Sequence, residues 1–349
     1  MKIILFTILI CISYTYDIAA QRGRSNDVMS HILEMHDKNR DGVISMKEKK
    51  TFTSISLIGS RLSGNLNLND YDNVKKIYLT NSRRLESLEL ENFPSLETIL
   101  ITHCGIKKLN IENACNLDKV IVIDTPINDF NFEDLPKLRK VEIGLADCNG
   151  VNFEDCENLE TISLGGGCNI TKLDISNVPS VKRLSINNSC IEEILCSKNN
   201  EMESLFLSGN KFSKFDACKY KKLKSLVIDN NQLQELKITN NKSLNTLSAR
   251  NNLLKSVELR NLKNVYRLSL TDNKLRYLEI IDVDSINMFG AGNNDLRKLK
   301  ILGTKLKSFY IKGNENLETI ECDSKNKEQI IGFMEADGIK GVEFETQER

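Results

Sequence analysis

The chain has 349 residues with 48 basic and 48 acidic side chains, so its formal net charge is zero. Charges of both signs are interspersed, which leaves no electrostatic footprint for nucleic acid or an anionic membrane. Four prolines, no tryptophan and 6% aromatic residues suit a protein of short repeated turns better than one with a large three-dimensional core.

The first residues, "MKIILFTILICISYTYDIAAQ", hold one basic residue, an apolar run from Ile3 to Ile12 and a small-residue exit. They are expected to form a signal peptide, residues 1–20, cut near Ala20. Ten apolar residues are too few to span a bilayer, no second apolar run follows, and Cys11 lacks the context of a lipidation site. The expected location is therefore secreted, outside the cell.

Residues 21–51 are expected to form a cap. "SNDVMSHILEMH" places Val28, Met29, Ile32 and Leu33 on one helical face. The stretch "DKNRDGVISMKE" follows, with Asp37, Asn39 and Asp41 at loop positions one, three and five. Gly42 stands at the sharp turn, Val43 offers a carbonyl, Ser45 can hold a bridging water, and Glu48 supplies the closing carboxylate. Ile44 occupies the apolar position between them. Oxygen donors at this spacing fit Ca2+, and the stretch resembles an EF-hand loop. Its exiting helix is truncated, and His36 stands where an aromatic residue is usual.

Residues 52–322 repeat with a period of 20 to 22 residues, as in "LKSLVIDNNQLQELKITNNKS" and "LNTLSARNNLLKSVELRNLKN". Coil starts fall at Phe52, Val74, Leu96, Leu117, Leu138, Leu159, Val181, Met202, Leu223, Leu244, Val265, Ile286 and Leu306. The pattern resembles the leucine-rich repeat family and implies a mostly β solenoid of about 13 coils with a parallel sheet on its concave face. Each coil is expected to bury positions 1, 4, 6, 11, 14 and 16, because a coil cannot cover its own apolar face without neighbours stacked about 4.8 Å away. The second half of each coil has no room for a full helix.

Position 9 divides the array. It is Asn in the last six coils (Asn210, Asn231, Asn252, Asn273, Asn294 and Asn314), where stacked amides can satisfy backbone groups of the turn. In the first seven it is Ser60, Ser82, Cys104, Thr125, Ala146, Gly167 and Ser189. Ala146 and Gly167 cannot make such bonds, which implies a bend or a less regular stretch from Ala146 to Cys190. Ten cysteines become nine once the signal is removed, so at least one is unpaired. Cys168 and Cys190, which follow position 9 in successive coils, are the disulfide candidate. Cys148, Cys196 and Cys322 fall near core positions and are expected to stay reduced.

Residues 323–349 are expected to close the far end, with a helix carrying Ile330, Ile331, Phe333 and Met334 and then the strand "GVEFE".

No phosphate loop, nucleophile elbow or clustered Cys and His ligand set is present, and the neighbours His103 and Cys104 lack a catalytic arrangement. The outward strand positions turn apolar over adjacent coils at Tyr78, Leu100, Ile121 and Ile123, with Leu145 nearby, which marks a partner site. The expected function is non-enzymatic recognition of an extracellular protein or glycan by a monomer with a calcium-binding cap. The alternatives are a calcium sensor or buffer, which a single truncated loop does not suit, and a secreted enzyme, which no motif supports. Sequons at Asn169, Asn187 and Asn241 could carry glycans in a eukaryotic secretory pathway.

Overall fold

The computed structural model describes residues 26 to 348 except 60, 146 and 199, so the expected signal segment, Ser60 and Ala146 lie outside the described residues. The chain winds into a mostly β, parallel-sheet solenoid of about 14 turns. The first strands of the thirteen coils, from Ser54–Ile58 onward, form one continuous parallel sheet, each pairing in register with the equivalent residues of its neighbours. Alternation does this work. Positions 4 and 6 of every coil, such as Ile77 and Leu79 or Leu226 and Ile228, are buried, and positions between them face outward.

The second strands form a less continuous row. Gly64–Asn69, Leu85–Glu91 and Lys108–Glu112 make one group, and two pairs follow, Asp129–Asn131 with Gly150–Asn152 and Lys172–Ile175 with Glu193–Cys196. From Lys214–Asp216 onward the row runs unbroken to Glu343–Gln347. In coils one and two the buried second pair is Leu66 and Leu68, then Leu88 and Leu90, which are positions 15 and 17, one residue later than the repeat frame predicts. Between these two coils the register shifts, Gly64 pairing with Leu85 and Asn65 with Ser87, so that Glu86 is the extra residue of coil two.

Both ends are covered. Helix α1 (Val28–His36), capped by Asp27 Oδ2 accepting from Ser30 N–H at 2.7 Å, buries Val28 and Ile32 against the first coil. Its start is tied down by Val28 N–H to Ser63 O at 3.0 Å and Ser63 N–H to Asn26 O at 2.7 Å. The truncated exiting helix α2 is Met46–Lys49. At the far end, helix α3 (Lys327–Ala336) buries Ile330 and Met334, and Glu343–Gln347 pairs with Thr319–Asp323, adding a turn beyond the thirteen coils.

Position 8 of every coil lies in the left-handed region, from Gly59 at φ +62° to Gly313 at φ +80°. Twelve of these residues are Gly, Asn, Asp or His, the types that tolerate this conformation best. The repeat frame omits this position because leucine spacing carries no signal about it, although the run of Asn, Asp and Gly there was readable.

Candidate calcium loop and sheet face

The loop after α1 is held by its own oxygens. Asp37 Oδ1 and Asn39 Oδ1 both accept from Asp41 N–H, at 3.2 and 3.0 Å, while Asp37 Oδ2 accepts from Gly42 N–H at 2.8 Å. Asp41 Oδ1 accepts from Val43 N–H at 2.9 Å. Glu48 reaches back across the loop, its Oε1 accepting from Lys38 and Asn39 N–H at 2.7 and 3.2 Å. Its Oε2 accepts from Ser45 N–H and the Ser45 hydroxyl at 2.9 and 2.7 Å, forming a capping box for α2. The Ser45 hydroxyl and backbone bonds hold the Glu48 carboxyl down at about 2. Gly42 at φ +88° permits the turn, and Val43 is 64% exposed. The donor set is all oxygen, which suits a hard divalent cation in chemistry. Among the described residues no group of three His, Cys, Asp or Glu side chains is close enough to form a finished metal cage.

His36 fills its aromatic role in an unexpected way. Its ring stacks on Phe52 at 3.8 Å and its Nδ1 meets the Tyr71 hydroxyl at 2.9 Å, while Tyr71 stacks on Phe93 at 5.9 Å. Burial, with the charges of His31 and Lys38, pushes the imidazole down to about 4 and keeps it neutral. The lid is therefore tied to the first two coils through a chain of rings that leucine spacing does not reveal.

On the sheet, strand register sets Tyr78 beside Leu100 and Leu100 beside Ile121, while Ile123 lies between Thr102 and Gly144. The structure thus brings the four expected face residues into one patch. Tyr78, Leu100 and Ile123 are half-buried, and Ile121, at 7% exposure, is nearly covered by its neighbours. Ile58 at 54% and Leu145 at 63% exposure extend the apolar surface at either end. Along one border, position 2 carries ion pairs between successive coils: Lys75 with Glu97 at 3.1 Å, Arg139 with Asp118 at 2.5 Å, Lys182 with Glu160 at 2.8 Å and Lys224 with Glu203 at 2.8 Å. Being exposed and screened by solvent, these pairs add little to stability, but like charges there would oppose the register.

The Cys168 to Cys190 disulfide is not present: both are free thiols. Cys168 is instead placed beside Cys148, because the extra residue in the glycine-rich turn moves it inward and Asn169 N–H bonds to Cys148 O at 2.8 Å. Contact with Cys168 and burial push the Cys148 thiol up, and burial raises Cys156 to about 11. Cys104, Cys148 and Cys322 are likewise buried, whereas Cys196 is half-buried. Of the sequons, Asn241 is 1% exposed and spends its amide on Ala217 O and Tyr220 O, so it cannot accept a glycan as folded. No helix among the described residues is long and apolar enough to cross a membrane.

No family model matches the chain, and no curated protein matches its sequence. Among solved structures it is similar to the functional domain of InlJ from Listeria monocytogenes, described as including a cysteine ladder. That match has 16% identity and a TM-score of 0.52, and covers 80% of this chain and 69% of that one. An internalin, InlF, from the same organism matches at 11% identity and a TM-score of 0.42, over 83% of this chain and 93% of that one. The InlJ likeness is one of fold: the chain is a leucine-rich repeat solenoid.

Proposed function

We propose that this solenoid is a secreted, non-enzymatic binding protein that recognises a partner protein through its first-strand sheet. The observation that carries the reading is the apolar row Tyr78, Leu100 and Ile121 with Ile123, lying side by side on strands whose inward faces already supply the core. Contiguous exposed apolar surface of this kind marks interaction sites, and the fold displays it on a rigid support. Export is supported by the N-terminal apolar run. Charge placed at the centre of such a face removes the anchors that dominate affinity. Leu100→Glu should therefore abolish capture of the partner recovered by pull-down from the native extracellular medium, with circular dichroism unchanged. A folded variant that captures as well as the parent does would sink the reading.

The second part of the proposal is that Asp37, Asn39, Asp41, Val43, Ser45 and Glu48 bind Ca2+, with an affinity of roughly 10⁻⁵ to 10⁻³ M because Lys38 and Arg40 offset the carboxylates and the loop has no paired loop beside it. Bound there, the ion would stiffen the lid over the first coil, a structural role more than a sensing one. Glu48→Gln should abolish calcium binding in calorimetry, and undiminished heat would remove the site.

A further inference from the structure

Leu145 breaks the rule that position 8 follows everywhere else. It sits at φ +52°, where a bulky side chain is strained, and yet is 63% exposed, so it returns little to the core. Beside it, the outward position 7 is Gly144 in one coil and Gly165 in the next, and the two are paired in register. The fold requires neither glycine. Neither is left-handed, and an added Cβ would lie 4.0 Å from Ile123 Cγ1 at the first and 3.6 Å from Asn187 O at the second, both ordinary contacts. Glycine weakens a strand, and in strands it often marks close approach by another molecule. The pair leaves a notch floored by backbone, walled by Ile123 on one side and Asn187 on the other, and rimmed by Leu145 lying over Gly166.

Charge indicates what fits there. On coils two to seven the outward positions 3, 5 and 7 carry Lys76, Lys119, Lys140 and Arg183 against one acid, Glu142, which Lys140 holds at 2.9 Å. This face is basic although the chain as a whole is neutral. We propose that it docks an acidic, extended segment of a partner protein, with one apolar side chain of that segment seated on the Gly144 and Gly165 backbone between Ile123 and Leu145. The inference rests on reading the sheet as a protein-binding face, and it adds the chemistry of the partner and the place of its anchor. The apolar knob gains burial against bare backbone, and the flanking carboxylates meet lysines that steer them.

The test uses a displayed library of short random peptides panned against the full mature chain and three variants. Sequences recovered on the parent should carry a Leu, Ile or Phe among Asp and Glu. Leu145→Asn and Gly165→Val should each cut recovery by roughly tenfold or more. Leu145→Asn should at the same time melt no lower than the parent, because Asn suits the left-handed turn. No enrichment, enrichment of basic or uncharged sequences, or equal recovery on Leu145→Asn would overturn the proposal. Leu100→Glu separates the two readings. Recovery lost there but kept in Leu145→Asn and Gly165→Val leaves the apolar face and removes the notch. Recovery unchanged in all three variants removes both.

Discussion

The first seven coils and the last six share one backbone path but are held at the turn by different chemistry. In the last six, the buried side chain of Asn252 donates from Nδ2 toward Ile228 O, Ala249 O and Arg250 O at 3.1 to 3.2 Å, and its Oδ1 accepts from Leu233 N–H at 3.0 Å. Asn231, Asn273, Asn294 and Asn314 repeat the arrangement, each linking its own coil to the one before. Asn210, at the junction with the first seven coils, donates in the same way, but its Oδ1 has no hydrogen-bond partner among the described residues. In the earlier coils a hydroxyl stands in place of the amide: Thr125 Oγ1 donates to Ile123 O at 3.1 Å and receives a long bond of 3.4 Å from Cys104 N–H, and Ser82 Oγ donates to Thr80 O at 3.4 Å. Turns without the amide keep the same shape because position 8 is left-handed in both halves. Backbone conformation sets the path, and the amide column adds cohesion between coils.

The largest test of this comparison is Asn252→Ala, which strands Leu233 N–H and two interior carbonyls and should cost about 3 kcal/mol in urea unfolding, against about 1 kcal/mol for Thr125→Ala. Equal losses would mean that the two halves are held alike. The first coils should instead depend on their lid. Calcium at ten times its dissociation constant should add about 1.4 kcal/mol by binding only the folded state, read as slower hydrogen exchange from Ile55 to Leu68 with the last six coils unchanged. Leu145→Asn should stabilise by about 1 kcal/mol, since Asn pays less to stand at φ +52°; an unchanged unfolding midpoint would show that the turn is not strained.

The smallest effect expected is at the far end. Burial works to raise the Glu321 carboxyl, but bonds from Lys300 at 2.9 Å and Lys298 at 3.3 Å outweigh it and lower it below 4.5. A lowered carboxyl contributes stability above its unfolded value and loses it as pH falls through the folded one. Exchange at Thr319–Asp323 should therefore quicken on acidification below about pH 4.5, by less than about 1 kcal/mol, and Lys300→Gln should blunt the change. No difference between Lys300→Gln and the parent would show that the pair adds nothing.

Much of the fold was legible in the chain because a leucine at a fixed spacing has one reading: inward positions 4 and 6, stacked strands, and ends that need lids. Helix α1, helix α3 and the closing strand follow from apolar periodicity and from the need to cover exposed coils. The candidate calcium loop was also legible as a proposal, since the order of its oxygen side chains along the chain is itself the motif. Tertiary structure decided what lies across coils. The His36, Phe52, Tyr71 and Phe93 stack joins residues as far apart as 57 positions (93 − 36), and no local pattern encodes which rings meet. Cys168 faces Cys148 and not Cys190 because one inserted residue shifts the turn, and a one-residue slip reverses which side of a strand faces inward. The notch at Gly144 and Gly165 exists only once register sets two side-chain-free positions side by side. Composition and spacing specify which residues face in, whereas neighbours between coils are fixed by stacking, because each rung takes its partner from a residue about twenty positions away.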